Sequence, residues 1–239
     1  MNILALDTSN KAMSVAVMQD ATPLAETTLN RMKTHSEQLL PTVDNLIALS
    51  GLTPDDIDRV VVAAGPGSYT GLRIGVTTAK TLAYTLNIEL VGVSSLAVLA
   101  ANVRKEAALI VPVMDARRSN VFTGIYQWAD DKLVNVLLDR HTSLEQLVKE
   151  VAALEQPAIF VGTTPVMREQ IRSTLGTQAA FTDELDNLPR ASRAAELGRD
   201  LPAADVASFV PNYLRLTEAE TNWLKNNPNA DRSNYVQKV

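Results

Sequence analysis

The 239-residue chain contains no cysteine and only two histidines, His35 and His141. The absence of cysteine excludes thiol nucleophiles, disulfides, redox-active thiol pairs and cysteine-ligated zinc, and it favours a cytoplasmic location. Two histidines so far apart in the sequence do not form the short-spaced pair that is typical of a histidine-rich metal site. We therefore expect no metal site, and a fold that is stabilised by its hydrophobic core without metals or disulfides.

The sequence also lacks a long apolar run and an excess of positive charge. No stretch approaches the roughly 18 apolar residues of a membrane-spanning helix, and the N-terminus has no basic residues before its apolar run, which Asp7 interrupts. We therefore expect neither a signal peptide nor membrane contact. Acidic residues outnumber basic ones by 27 to 22, which gives a net charge of −5. This balance argues against a large positive face that would hold a nucleic acid on its own.

The first half of the chain alternates short apolar runs with segments of helical periodicity, which predicts an α/β fold. A strand, a glycine-rich loop, a helix and another strand follow one another between residues 60 and 93, so we expect a parallel strand pair with a right-handed crossover. A further helix start is expected at Pro54. The predicted strands are 3–6, 14–18, 24–29, 60–64 and 90–93, and the predicted helices are 36–50, 72–86 and 94–103.

The second half repeats the opening pattern of a strand, a polar turn and a second strand. Asp7 ends the first strand of one hairpin and Asp115 ends that of the other, which indicates a duplicated architecture. We predict a first lobe over 1–104, a second over 105–216, and a weakly ordered polar tail over 217–239. The predicted strands here are 109–114, 121–128 and 158–161, and the predicted helices are 144–154 (with a capping box from Thr142 to Glu145), 165–175 and 190–200.

The glycine loop Gly65-Pro66-Gly67-Ser68-Tyr69-Thr70-Gly71 lies between a strand and a helix N-terminus. Backbone N–H groups in such a place can hold an anion. The loop matches neither the Walker A pattern nor the dinucleotide-binding pattern. Its spacing supports two interpretations equally: phosphate contact, or a tight turn that packs closely against a strand.

Asp7 and Asp115 stand at strand ends, where α/β folds place ligand-binding residues. The alternative, which spacing alone favours, is that each aspartate caps its own hairpin turn. His35, before a helix, is expected to be a surface or capping residue. Arg117 and Arg118 could contact phosphate, but adjacent arginines in a turn are usually solvated.

Two helices of the first half are apolar over an unusually broad face. Either both are deeply buried within the chain, which the pattern alone slightly favours, or their outer faces are buried against another protein. The apolar positions are Leu39, Leu40, Val43, Leu46, Ile47 and Leu49 in the first helix and Leu72, Ile74, Val76, Ala79, Leu82, Ala83 and Leu86 in the second.

Several segments, in order along nearly the whole chain, carry a resemblance to a known family; the most specific is GPGSYTGLRIG at 65–75. The others are 3–9, 35–41, 94–96, 115–118 with Val121, 213–215 and 218–220. In these segments the sequence resembles the TsaB family, also called YeaZ, of tRNA threonylcarbamoyladenosine biosynthesis proteins. The resemblance implies an actin-like ATPase fold of two ribonuclease-H-like lobes, each with a mixed sheet flanked by helices.

The resemblance also implies a function in the cytoplasm. The family acts beside a catalytic paralogue, TsaD, and a small ATPase, TsaE. Together they move a threonylcarbamoyl group from its adenylate to N6 of the adenosine 3′ of the anticodon, in tRNAs that read codons beginning with A. By resemblance this chain is a scaffold without catalytic residues that pairs with TsaD, or with itself when alone, and meets tRNA only through the complex. The catalytic paralogue's His-x-x-x-His metal pair has no counterpart here, which also argues against a metallopeptidase.

Two sets of residues are implied for these roles. The partner interface would consist of Leu39, Leu40, Val43, Leu46, Ile47, Leu72, Val76, Ala79, Leu82 and Ala83. A vestigial nucleotide cleft for ATP or ADP would consist of Asp7, Thr8, Ser9, Gly65, Gly67 and Asp115. An alternative based on the same cleft residues is an autonomous actin-like ATPase or small-molecule kinase.

Overall fold

The computed structural model describes residues 1–31, 35–105 and 107–215, and within them it contains two five-stranded sheets. The first sheet has the order β3-β2-β1-β4-β5 and the second the order β10-β9-β6-β7-β8. The strands are β1 (Asn2–Asp7), β2 (Met13–Gln19), β3 (Thr22–Leu29), β4 (Arg59–Gly65), β5 (Glu89–Ser94), β6 (Leu109–Asp115), β7 (Asn120–Ala129), β8 (Lys132–Ser143), β9 (Ala158–Val161) and β10 (Ala179–Phe181).

Both sheets are mixed in the same way. In each, the first three strands along the chain pair antiparallel and the last two join in parallel. The parallel pair formed by β4 and β5 is the one that the first-half pattern predicts. We call each sheet, with the two helices that connect its last three strands, a lobe. The arrangement confirms the predicted fold class of two lobes, each with a mixed sheet flanked by helices.

The central strand β1 shows why these segments form strands. Its side chains point alternately to opposite faces: Leu4 and Leu6 join one hydrophobic cluster, and Ile3 and Ala5 join another. Helices cover both faces of the sheet, so the sequence of the strand is a continuous apolar run rather than an alternating one.

Each half of the chain contains three helices. Two of them pack on the sheet of their own half, and the third packs on strands of the other half. α1 and α2 pack on the first sheet, and α4 and α5 cover the second. The third helix of the first half, α3, packs against β6 and β7, whereas α6 packs against β1 and β2. The helices are α1 (His35–Leu49), α2 (Tyr69–Leu86), α3 (Ser95–Ala100), α4 (Leu144–Ala153), α5 (Pro165–Leu175) and α6 (Ala191–Gly198).

This exchange of α3 and α6 bears on the predicted domain limits. α6 lies within the predicted unit 105–216, yet it packs on the first sheet. The boundaries 1–104 and 105–216 therefore stay predictions, and the predicted tail over 217–239 lies outside the described residues. No helix in the described ranges is long and apolar enough to cross a bilayer.

The structure contains two strands, β8 and β10, that the sequence pattern did not predict. Two local predictions are also corrected. The N-cap of α4 is Ser143, whose side chain accepts a hydrogen bond from Gln146 N, so the capping box from Thr142 is misplaced by one residue. The helix start at Pro54 is a single 3₁₀ turn, Pro54–Asp56, because the chain enters extended backbone at Ile57.

Candidate functional site

A cleft of about 820 Å³ lies between the two lobes. Four segments line most of it: the β1–β2 turn, the glycine loop with the start of α2, the β6–β7 turn, and residues 212–215, which we call the strap. His35, at the start of α1, and Phe122 of β7 complete the described lining. Each hairpin turn follows the first strand of its lobe, so the duplicated topology brings the two turns to opposite walls of the same cleft.

Asp7 is fully buried beside this cleft. Its Oδ1 accepts hydrogen bonds from Ser9 N at 2.9 Å and from Ser9 Oγ at 2.7 Å, and its Oδ2 has no hydrogen-bond partner among the described residues. Burial raises the pKa of the Asp7 carboxyl to about 6, although the two Ser9 hydrogen bonds and the nearby His35 act in the opposite direction. These hydrogen bonds are those of a turn-capping aspartate.

The glycine loop packs directly on the β1–β2 turn. A Cβ atom at Gly67 would lie 2.2 Å from Ser9 O, and one at Gly71 would lie 2.1 Å from Thr8 O. Ser68 N donates to Ser9 O at 2.7 Å, and Thr8 Oγ1 donates to Gly71 O at 2.7 Å. Of the two interpretations of the loop, close packing is thus supported by contacts, because only glycine leaves room for the turn.

The strap covers the first residue of the glycine loop. Gly65 has a φ of +124°, and a Cβ atom there would lie 2.4 Å from Asn212 O. Asn212 N donates to Ala64 O at 2.7 Å. The ring of the next residue, Tyr213, packs on the ring of Tyr69, with the two centroids 4.9 Å apart. The φ and the close approach both require glycine at position 65, so this residue lies under the strap rather than in the cleft lining.

The wall contributed by the second lobe is more open. Asp115 is exposed, and its Oδ1 accepts a hydrogen bond from Arg117 N at 2.7 Å. Arg117, Arg118 and Ser119 have φ values of 67°, 54° and 59°. Three successive non-glycine residues in the left-handed region are unusual and strained. Arg215 Nη1 donates to Ala116 O at 2.8 Å, which ties the strap to this turn.

The structure therefore brings together three of the six predicted cleft residues: Ser9, Gly67 and Asp115 line the cleft. The other three, Asp7, Thr8 and Gly65, are buried next to it.

The cleft lining also contains residues that the sequence pattern did not predict there: Lys11, Tyr69, Tyr213 and Arg215. The segment 213–215 is among those that resemble the family, so Tyr213 and Arg215 were marked as notable residues. The resemblance did not indicate where in the fold they lie. His35, expected to be a surface or capping residue, donates through Nε2 to Asn10 O at 2.9 Å.

The predicted partner-interface residues face two directions. Seven of the ten are buried in the hydrophobic core that α1 and α2 form with the first sheet; they are Leu39, Val43, Leu46, Ile47, Val76, Ala79 and Ala83. Leu72 is also buried, but it lines the cleft. Leu82 is half-buried and Leu40 is 55% exposed. Two large side chains on the same helices are exposed further: Leu49 by 70% and Tyr84 by 82%.

The residues that the structure describes contain no group of three or more histidine, aspartate or glutamate side chains placed to hold a metal ion.

Comparison with known proteins gives consistent similarities. Residues 24–223 match the family model for TsaD, tRNA N6-adenosine threonylcarbamoyltransferase. The chain is 42% identical to the tRNA threonylcarbamoyladenosine biosynthesis protein TsaB of Bacillus subtilis, over 94% of this chain and 99% of that protein. It is 34% identical to the Escherichia coli protein of the same name, over 63% of this chain and 69% of that protein. The solved structure of YeaZ from Pseudomonas aeruginosa has a TM-score of 0.76 and 26% identity, and the match covers 89% of this chain and 99% of that one.

Proposed function

The chain belongs to the TsaB family, also called YeaZ, and from this membership we propose that it takes part in the biosynthesis of N6-threonylcarbamoyladenosine in tRNA. The two curated relatives are named for this pathway, and the matching family model is that of the transferase itself. The coarse role in tRNA modification follows from these names.

We further propose that the chain is a scaffold subunit that pairs with a TsaD-type protein. The observation that carries this proposal is the exposure of large apolar side chains on α1 and α2: Leu40, Leu49 and Tyr84. The inner faces of these helices fill the core, so the breadth of their apolar pattern is accounted for by two surfaces. Large apolar side chains that stay exposed on neighbouring helices offer a partner protein apolar area to bury.

The closed end of the cleft supports a scaffold role over nucleotide chemistry. In the first lobe the donors and acceptors of the turn are used internally: Ser9 N bonds to Asp7, and Ser9 O accepts from Ser68 N. Ser68 Oγ also accepts from Gly71 N and so caps the N-terminus of α2. These bonds occupy groups that a phosphate at this end of the cleft would need.

The remaining partners are part of the same proposal. TsaE joins the pair, a homodimer forms when the chain is alone, and tRNA is modified at the TsaD subunit. The homodimer would bury the same exposed apolar side chains of α1 and α2 that TsaD covers. TsaD and a second copy of this chain should therefore compete.

The scaffold proposal is tested by sedimentation of the chain with TsaD. Leu40→Glu with Tyr84→Glu places two charges on the exposed surface, so we expect association to weaken at least tenfold while the circular dichroism spectrum is unchanged. Val166 and Leu185 are 67% and 71% exposed in the second lobe, and Val166→Glu with Leu185→Glu is the matched control. Unchanged association of the Leu40/Tyr84 variant, or equal weakening by the control, would contradict the proposal.

An autonomous ATPase or small-molecule kinase is the second candidate, because the cleft is large enough for a nucleotide. Calorimetry of the isolated chain with ATP and Mg²⁺ separates the two. The scaffold proposal predicts neither binding heat nor turnover; saturable heat with phosphate release would favour the kinase or ATPase.

A further inference from the structure

The rim of the inter-lobe cleft concentrates positive charge in an otherwise acidic chain. Lys11 comes from the β1–β2 turn, Arg117 and Arg118 from the β6–β7 turn, and Arg215 from the strap. Asp115 is the carboxylate among the described residues that line the cleft. Even without Arg118, Lys11, Arg117 and Arg215 outnumber the one carboxylate of the described cleft lining, in a chain with a net charge of −5.

The turn that carries two of these arginines is held in place by its own hydrogen bonds. Asn120 Nδ2 donates to Arg117 O at 3.4 Å and to Arg118 O at 3.1 Å. Leu144 N donates to Ser119 O at 3.0 Å, which fixes the turn to the start of α4. A strained left-handed run persists only where the surroundings determine it, and such runs cluster at functional sites. The backbone therefore presents the arginine side chains from a fixed position.

The position of these cations indicates the shape of the ligand. Lys11, Arg117 and Arg118 are exposed, whereas Ser9, at the inner end of the cleft, is buried and its backbone is already bonded. A mononucleotide would need donors at that inner end. An extended polyanion crossing the rim needs only the exposed cations, and phosphate backbones are bound in this way by lysine and arginine.

We propose that this rim contacts phosphodiester groups of the tRNA directly when the chain is in its complex. The inference rests on the proposed function and deepens it, because it gives the scaffold its own contact with the substrate RNA. The net negative charge of the chain does not oppose this contact: phosphate groups at the rim interact with local charge, since screening limits the interaction to about 10 Å at 0.1 M salt.

The test measures tRNA affinity of the assembled complex at several salt concentrations. The variant is Lys11→Gln with Arg117→Gln, and the control is Lys105→Gln with Lys132→Gln, two exposed lysines outside the cleft lining. We expect about a tenfold loss of affinity near 0.1 M salt for the rim variant, and a salt slope smaller by about one to two. We expect less than a twofold change for the control.

Association with TsaD is measured on the same samples, so the two proposals fail separately. If the wild-type chain does not bind TsaD, the proposed function fails. If the complex forms and binds tRNA, but the rim variant keeps the wild-type affinity and salt slope, the rim inference is overturned and the proposed function stands.

A calorimetric titration of the chain with inorganic tripolyphosphate separates a free phosphate ligand from RNA. Weak binding without saturation agrees with the proposal. Saturable binding that the rim variant loses, together with unchanged tRNA affinity, would assign the rim to a small phosphate compound and overturn the proposal.

Discussion

The two lobes end their first strands in opposite ways. In the first lobe Asp7 is buried, and the glycine loop lies on the turn that follows it. In the second lobe Asp115 is exposed, and the turn after it runs through left-handed residues at the cleft wall. Because both sheets have the same strand order, topology alone does not decide whether a hairpin end is closed.

The connections after the fourth strand of each lobe explain the difference. In the first lobe, Gly67 and Gly71 allow the β4–α2 connection to reach Thr8 and Ser9. In the second, Gly162 begins the β9–α5 connection, and a Cβ atom there would lie 2.6 Å from Val113 O, within β6 itself. The second connection therefore approaches the strand before its turn and leaves Asp115 uncovered.

Adding a methyl group at Gly71 should disrupt the packing of the glycine loop on the β1–β2 turn, which we call the closure of the first lobe. The Cβ atom of Gly71→Ala would overlap Thr8 O, so we expect the free energy of unfolding to fall by about 3 kcal/mol, as for severe overpacking. Gly176→Ala is the control, since nothing lies within 4 Å and the cost is that of a φ of +52°, about 1 kcal/mol. Urea denaturation measures both. A Gly71→Ala protein as stable as wild type would refute the closure, because alanine is otherwise favoured in a helix.

Neutralising Asp7 should expose the cost of burying its charge. The pKa of Asp7 is raised from 3.8 to about 6 in the folded chain, so the folded state binds the proton more tightly than the unfolded one. The free energy of unfolding should therefore fall as pH rises from about 4 to about 6. Asp7→Asn keeps an oxygen for Ser9 and removes the charge, so it should remove this fall and stabilise the protein by about 2 kcal/mol at pH 7.

Asp115→Asn is the matched control for this measurement, because that side chain is exposed. We expect its effect to stay within about 0.5 kcal/mol. Thermal unfolding between pH 4 and 8 compares the two variants. The burial argument fails if Asp7→Asn retains the wild-type pH dependence or if both variants behave alike.

The smallest expected effect concerns one hydroxyl group in each lobe. Thr8 Oγ1 donates to Gly71 O at 2.7 Å, and Thr123 Oγ1 donates to Pro112 O at 2.8 Å, both in buried surroundings. Replacing either threonine by valine removes the hydroxyl donor at nearly constant volume, so we expect each to cost about 1 kcal/mol. If Thr8→Val costs nothing while Thr123→Val does, the glycine loop is held by its glycines alone. Chemical denaturation resolves this difference.

Much of the fold could be predicted because its strands are continuous apolar runs. β1, β4 and β6 are buried on both faces, and their sequences show it directly. β8 could not be predicted from pattern, because it is an edge strand that mixes charged, polar and apolar residues, none of them fully buried. β10 has three residues, too few for any periodicity.

The candidate site could be predicted only in part. The sequence pattern marks Asp7 and Asp115 as equivalent strand ends, but it does not show that one is buried and the other exposed. That difference depends on which residues the later strand–helix connection of each lobe contacts. Helical periodicity found the apolar faces of α1 and α2. It could not tell the side packed on the sheet, such as Leu46, from the exposed side, such as Leu40, because both are leucines on a broad stripe.

The central claim is that this chain supplies a protein-binding surface on which tRNA modification depends. The direct measurement is the yield of N6-threonylcarbamoyladenosine in a reconstituted reaction with TsaD, TsaE and tRNA. We predict that the yield requires this chain, falls with Leu40→Glu and Tyr84→Glu in proportion to lost association, and is unaffected by Val166→Glu and Leu185→Glu. An equal yield without the chain, or full yield from the Leu40/Tyr84 variant after its association with TsaD is lost, would contradict the account.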